Sequence, residues 1–470
     1  MDTSSAELPQ AEREIRLQLD FHDADGTPRR MLFTNPAKIL VATKIEEVRA
    51  VMKELQKGVK AGYYAAGYLS YEAAPAFDPA FRVWEGEQLP LAWFGLFEKP
   101  QPVDSVEWPV DDYSMSDWQP TVSRERYNQC IADIQEAIAR GETYQTNYTI
   151  RLRGAFAGDD YAFYNDLSAR QQGRYAAYLN MGRYRILSAS PELFFHWKNG
   201  RLVTKPMKGT VKRGRWLQED QERADWLAQS EKNRAENVMI VDLLRNDLGM
   251  VAEVGSVHVP RLFEIERYRT VWQMTSTVEA VTRVGTTIED VFAALFPCGS
   301  ITGAPKVSTM KLIRQLEDAP REVYCGSIGF VTPEQEAIFN VAIRTVVIDT
   351  ATGTAEYGVG GGITWDSAAA DEYDEVVAKS AILTADMPPF SLLETLKLEA
   401  GHYDLLERHL ERLRASAVYF GIRPDEQELG DKLAAYAAAH QGQTMRIRLL
   451  VSQQGNVTVE GVPLVAGQQE

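Results

Sequence analysis

The hydrophobic pattern of this chain stops and restarts once, and that interruption limits how it can fold. "MPPF", Met387–Phe390, reads as a linker, and behind it "SLLETLKLEAGHYDLLERHLERLRASAVYFGI" begins again as a strand, a turn at Gly401 and an amphipathic helix. The chain has 470 residues, too many for one core, so two or three domains are expected. The divisions expected are 1–120, 121–386, the linker 387–390, and a small α/β piece over 391–470.

Charge and composition exclude several functions. Formal net charge is −16, which argues against nucleic acid and anionic membranes as partners. No apolar run reaches the roughly 18–20 residues needed to cross a bilayer, and Met1–Glu14 lacks the apolar stretch of a signal peptide, so a cytoplasmic location is expected. Cys130, Cys298 and Cys325 show no metal spacing, and the six histidines include no paired ligand motif.

The segments before the linker mix both periodicities. Ser123 caps a helix stopped at Gly141, and "YQTNYTIRL" follows as an alternating strand. "YRILSASPELFFHWKNGRLVTKPMKGT" reads as two short strands around a "KNG" turn. "TKPMKGTVKRG", Thr204–Gly214, reads as a strand end running into a turn, with Lys208 either a solvated loop lysine or a reactive amine. Ser230 caps a helix with Val238, Val241, Leu244 and Leu248 on one face. "AIFNVAIRTVVID" and "GTAEYGVGGGITWD" look like paired strands.

Several residues are of types that do chemistry. Glu372, Glu375 and Lys379 fall within roughly 60° of arc on one helix face; a solvated, salt-bridged face is the ordinary reading. Glu236 lies on another helix beside apolar residues. Carboxylates from two helices facing one pocket would suit Mg²⁺, which takes one or two protein carboxylates and leaves its other positions to water and substrate oxygens. "GSITGAPK", Gly299–Lys306, places exposed backbone N–H groups at a helix start, an anion site without Walker spacing. "GVGGG", Gly358–Gly362, follows a strand and permits close approach of a ligand to the backbone. Arg344 sits within an apolar strand, facing either solvent or an anionic ligand. These residues alone suggest an enzyme for a small anionic substrate, with Mg²⁺.

Six motifs go further: "SPELFF", "PMKGT", "AENVMIVDLLRNDLG", "GSITGAPK", "NVAIRT" and "GGGITWDSxxxxEYDEVVAK". In this order they make residues from about Ser123 to Ala385 resemble the chorismate-utilising enzymes. The resemblance implies an α+β fold of two packed β-sheets flanked by helices, with chorismate and Mg²⁺ in a cleft between the sheets. It implies Glu236, Glu375 and Glu372 around the metal, and Arg344, Lys379, Thr302, Gly303, Gln145 and the Gly360, Gly361 and Gly362 backbone around the substrate. Gln145 stands where isochorismate-forming members carry a water-activating lysine. Lys208 resembles the lysine that marks the aminodeoxychorismate synthases, where anthranilate synthases have a small residue.

What the resemblance then implies is Mg²⁺-dependent amination of chorismate by ammonia at C4. Lys208 would be the covalent nucleophile and Glu192 the general acid, in the route to 4-aminobenzoate and folate. Gln273 stands where relatives have a histidine, and Asn233 where they often have an acidic residue. The alternatives are an anthranilate synthase component and a chorismate-binding subunit without turnover. No amidotransferase triad is recognisable in the sequence, so a separate glutamine amidotransferase subunit is expected to supply ammonia. Residues 391–470 resemble the start of aminodeoxychorismate lyase, a class IV pyridoxal-phosphate enzyme. They lack its Schiff-base lysine, so no lyase activity is expected of this truncated or vestigial piece.

Overall fold

A computed structural model describes residues 15–23, 26–103, 111–385 and 390–464. Met1–Glu14 and most of the linker Met387–Phe390 lie outside the described residues. The chain forms two compact bodies: Met1–Thr210, Ala228–Tyr268 and Gln273–Ala385 make the first, and Val211–Leu227, Arg269–Trp272 and Asp386–Glu470 the second.

The first body is a sandwich of two ten-stranded sheets whose described pairings are antiparallel. Leu17, Leu19 and Phe21 of one sheet pack with Tyr68, Trp93, Phe330 and Ile338 of the other in a shared core. Helix Ile45–Lys60 and the apolar side of Glu231–Gly249 cover one outer face; Arg124–Ala139, Asp160–Gln171 and Ala369–Ser380 cover the other. The result is the expected α+β arrangement of two sheets flanked by helices.

The caps read from sequence form. Ser123 Oγ accepts from the Arg126 N–H, and Ser230 Oγ from the Asn233 N–H. On the second of these helices Val241, Leu244 and Leu248 are buried, but Val238 is exposed, and Asn237 and Ile240 take the inward face instead. "YQTNYTIRL" does not alternate: Gln145 to Leu152 are buried throughout, because this stretch of strand Gln145–Gly158 is covered on both faces.

"YRILSASPELFF" and "NVAIRT" both hide a change of sheet. Strand Tyr184–Ser190 belongs to one sheet and Leu193–Lys198 to the other; Ala337–Asn340 and Thr345–Asp349 divide in the same way. The two crossovers lie side by side. Ser190 Oγ donates to the Val341 carbonyl at 2.6 Å, the Val341 N–H to the Glu192 carbonyl at 3.1 Å, and the Ala189 N–H to the Arg344 carbonyl at 3.0 Å. The first stretch therefore holds four strands rather than two. Its "KNG" hairpin does form, with Asn199 and Gly200 at φ 51° and 78° joining Leu193–Lys198 to Arg201–Lys205.

The second body holds a four-stranded antiparallel sheet with helices Leu406–Phe420 and Glu426–Ala439. Strand Ser391–Glu399 alternates strictly, and its inward Leu392, Leu396 and Leu398 pack with Leu410, Leu413 and Leu433. Among the described residues no helix is long and apolar enough to cross a membrane.

Candidate active site

Lys208 is not at the mouth of a turn. It lies inside a strand, Met207–Lys212, at one end of its sheet's strand order, paired with Val271–Val281. Gly209 follows at φ +93°, which interrupts the extended chain, and a Cβ there would stand 3.0 Å from Asn233. Gln273 spans this point: its Nε2 donates to the Gly209 carbonyl and its Oε1 accepts from Thr210 Oγ1, each at 2.9 Å. Nothing in the sequence announced this clamp, which depends on the register of two strands.

The Lys208 amine points into the protein. A Cβ added at Gly362 would lie 3.0 Å from its Nζ and 2.1 Å from Gln145 Nε2. Part of the residue's surface stays accessible, as in a cleft, but desolvation around the amine lowers its pKa, and the Glu236 and Glu192 carboxylates pull the other way. Glu192, on the first crossover, is 3% exposed. Burial pushes its pKa up to about 7 against the opposing pull of the Ser300 hydroxyl and Lys208. Both shifts favour the uncharged forms, a neutral amine and a protonated carboxyl, which are the forms a nucleophile and a general acid require.

The glycines do not follow a strand; they form the interior of one, Thr354–Ile363, in register with Gln145–Gly158. Its pairing with Thr345–Asp349 ends at Val346↔Tyr357, and from Gly358 onward its register is with Gln145–Gly158. A Cβ at Gly361 would meet Glu372 Oε2 at 3.4 Å, Lys379 Nζ at 3.7 Å and Glu375 Oε1 at 3.8 Å. Successive strand residues face opposite ways, so the acidic helix gathers over one face of this strand, and Lys208 with Gln145 over the other.

Lys379 is already engaged: its Nζ lies 2.5 Å from Glu375 Oε1 and donates to the Gly360 carbonyl at 2.8 Å. Its charge is the main reason that Glu375 keeps a lowered pKa. Glu236 and Glu372 are instead raised by desolvation, and Glu375 adds like-charge repulsion to both. Ser367 Oγ donates to Glu372 Oε1 at 2.6 Å. Among the described residues no group of three or more histidine, cysteine or acidic side chains is drawn together as a metal cluster. The three glutamates nonetheless supply hard oxygen donors with mutual repulsion that a divalent cation would relieve.

Arg344 lies not within a strand but on the second crossover, at φ +54°. There its Nη1 donates to the Lys379 carbonyl at 3.1 Å, while its buried Nε has no protein partner. "GSITGAPK" is not an exposed loop. Gly299–Ile301 is a buried 3₁₀ turn, and Gly303–Ala304 pairs with the strand at Thr146 and Gln145. The Thr302 hydroxyl donates to the Cys298 carbonyl at 3.0 Å, so its proton is committed. Lys306 is buried against Asp247 at 2.7 Å. Gly303, at φ +138°, has its Cβ position 2.0 Å from the Gln145 carbonyl, which forces glycine at this approach.

A further set of buried polar atoms lacks protein partners: both side-chain atoms of Gln145, Glu192 Oε1, Thr146 Oγ1, Thr204 Oγ1, Thr275 Oγ1 and Asn237 Nδ2. Buried polar atoms are ordinarily satisfied; among these, the Gln145 amide stands beside Lys208 and Gly362, where it is suited to a polar ligand. Thr146, Thr204, Thr275 and Asn237 escaped the sequence reading because hydroxyl and amide residues in apolar runs carry no distinguishing pattern.

Both parts of the chain resemble known proteins. Residues 391–462 match the model of class IV aminotransferases. Over 272 residues, 58% of this chain and 60% of the relative, the sequence is 39% identical to aminodeoxychorismate synthase component 1 of Escherichia coli (strain K12). It is 36% identical to anthranilate synthase component 1 of Aquifex aeolicus over 266 residues, 57% of this chain and 53% of that relative. The chain thus spans about 60% or less of the length of these two curated relatives. The crystal structure of anthranilate synthase component I from Streptococcus pneumoniae TIGR4 superposes with a TM-score of 0.64 at 23% identity, over 82% of this chain and 95% of that one, and so shares its fold. Residues 12–385 match the model of chorismate binding enzymes, and the chain belongs to that family.

Proposed function

We propose that this chain aminates chorismate at C4 to give 4-amino-4-deoxychorismate, with Lys208 as a transient covalent nucleophile. The observation that carries the reading is the buried amine itself, with a lowered pKa, in the electrostatic reach of a carboxyl at about 7. The similarity to proteins named aminodeoxychorismate synthase supports it.

The neutral Lys208 amine adds to C2 of the ring. Both ring double bonds shift, from C1=C2 and C5=C6 to C1=C6 and C4=C5, the C4–O bond breaks, and Glu192 gives its proton to the departing oxygen, which leaves as water. The lysine nitrogen sheds a proton in the same phase. Ammonia then adds at C4, both double bonds return, and the C2–N bond breaks with a proton restored to Lys208. Chorismate and ammonia become aminodeoxychorismate and water. Gln145 cannot act as a base, which disfavours attack by water at C2. The unpaired Arg344 Nε and the Gln145 amide are placed to hold substrate oxygens.

Glu236 and Glu375, with Glu372 beside them, would hold Mg²⁺, which when bound supplies positive charge for the substrate's carboxylates. A partner glutamine amidotransferase supplies ammonia in this reading, consistent with the "component 1" in the relatives' names.

The test is to incubate the protein with chorismate, Mg²⁺ and ammonium and compare it with Lys208→Ala. Aminodeoxychorismate without pyruvate is expected, with a loss of at least 10³-fold in the variant, in keeping with nucleophile removal. Anthranilate and pyruvate as products would overturn the assignment in favour of the second named relative's activity.

A further inference from the structure

Of the three segments that build the second body, two come from the middle of the sequence. Val211–Leu227 and Arg269–Trp272 cluster with the C-terminal piece. What joins them is Arg213. Its guanidinium is bidentate to Asp220, with Nε–Oδ1 and Nη2–Oδ2 both 2.6 Å, and Asp220 is 2% exposed. Arg213 Nη2 also donates to the Tyr419 carbonyl at 2.8 Å. The guanidinium stacks 4.8 Å from the Tyr419 ring and 5.1 Å from the Trp272 ring. The Tyr419 hydroxyl donates to the Gly214 carbonyl at 2.6 Å, and Trp272 Nε1 and the Gly214 N–H donate to Asp220, each at 2.9 Å. The Arg213 N–H reaches the Thr270 carbonyl at 3.2 Å.

A buried bidentate pair stacked between two aromatic rings is a rigid arrangement. It needs Tyr419, which the C-terminal helix Leu406–Phe420 supplies. Its other members adjoin Lys208 along the chain. Arg213 follows Lys208 by five residues and directly succeeds strand Met207–Lys212, and Trp272 precedes Gln273, whose amide holds Gly209 and Thr210. The lysine strand stands at the end of its sheet's order and carries an interruption at Gly209. Such strands are the first to open locally.

We infer that the C-terminal segment is a brace for the reactive lysine: Tyr419 fastens the ends of the two strands that carry Lys208 and Gln273, so order at Lys208 depends on residues 391–464. An appendage held by its linker alone would need neither the buried Arg213–Asp220 pair nor its bonds to Tyr419.

Hydrogen exchange with mass spectrometry on the full chain tests this, comparing wild type, Tyr419→Phe, Tyr419→Ala and Arg414→Ala. Arg414 serves as the control, since it lies on the same helix in an exposed pair with Glu426. Amides of Met207–Lys212 are expected to exchange about threefold to tenfold faster in Tyr419→Phe, which loses one hydrogen bond, and faster still in Tyr419→Ala. Arg414→Ala should match wild type. Unchanged exchange of these amides in Tyr419→Ala overturns the inference, whether or not the rest of the second body loosens. A second readout rests on the amination reading: kcat should fall in Tyr419→Ala while KM for chorismate holds. If no amination occurs in any variant, that reading fails, and the exchange result still decides the brace.

Discussion

Replacing Glu192 by glutamine should stabilise the protein while disabling it, and the size of the gain should depend on pH. Moving a carboxyl from 4.5 in the unfolded chain to about 7 in the fold corresponds to ~3 kcal/mol, at about 1.36 kcal/mol per pH unit. The sign follows from proton linkage. Below pH 4.5 the carboxyl is protonated in both states and its ionisation costs nothing. Between 4.5 and 7 the unfolded chain releases a proton that the folded chain keeps, so the wild type loses stability as pH rises. Above 7 both states are ionised and the full cost remains. Glutamine has no such cost and still offers an oxygen to Ser300. Thermal unfolding of wild type and Glu192→Gln at pH 4.5 and at pH 8 reads this directly. The variant should gain little at the lower pH and on the order of 5 °C at the higher one. Aminating activity should fall at least 10²-fold, as expected for loss of a general acid. A melting difference that stays flat across this range would refute the claim that burial raises this carboxyl.

Four further outcomes are expected. Gly362→Ala should abolish turnover with little effect on folding, because its Cβ would strike Gln145 Nε2 at 2.1 Å and crowd Lys208, whereas Gly361→Ala meets nothing nearer than 3.4 Å and should retain measurable activity. Steady-state assays and circular dichroism on both variants check this. Gln273→Leu removes both bonds to Gly209 and Thr210, each worth about 0.5–1.5 kcal/mol, and should lower kcat about tenfold or more, with thermal stability down by a similar free energy. The kcat–pH profile should be bell-shaped, because turnover needs a neutral Lys208 amine and a protonated Glu192, with one of its two breaks near 7 from Glu192; Glu192→Gln should erase that break. Glu236→Gln should raise the Mg²⁺ concentration for half-maximal activity about tenfold or more, measured by metal titration of the chelated protein.

Features set by local conformational rules were legible in the sequence. The Ser123 and Ser230 caps, the alternation of Ser391–Glu399 and the Asn199–Gly200 hairpin follow local rules, and each is present. The two-sheet architecture came through the ordered motifs. What escaped depends on the third dimension. The corners near Pro191 and Ile343 were not legible because a strand that changes sheets is buried before and after the bend, so the change of sheet leaves no break in periodicity. Gly358–Gly362 was read as following a strand because glycine is poor in strands, yet it lies within one, where the Tyr324 ring and the Tyr148 carbonyl come so close that only glycine fits at Gly358 and Gly360. Lys379 also holds Glu375 and the Gly360 carbonyl, contacts that spacing along one helix cannot reveal.

Glu192 and Arg344 occupy neighbouring corners at which the chain leaves one layer of the sandwich for the other, bonded to one another through Ser190 and Val341. Both side chains therefore stand where the scaffold itself turns. A change in the spacing of the layers, such as shaving Tyr175 or Leu193 from the shared core, is expected to move the two corners together.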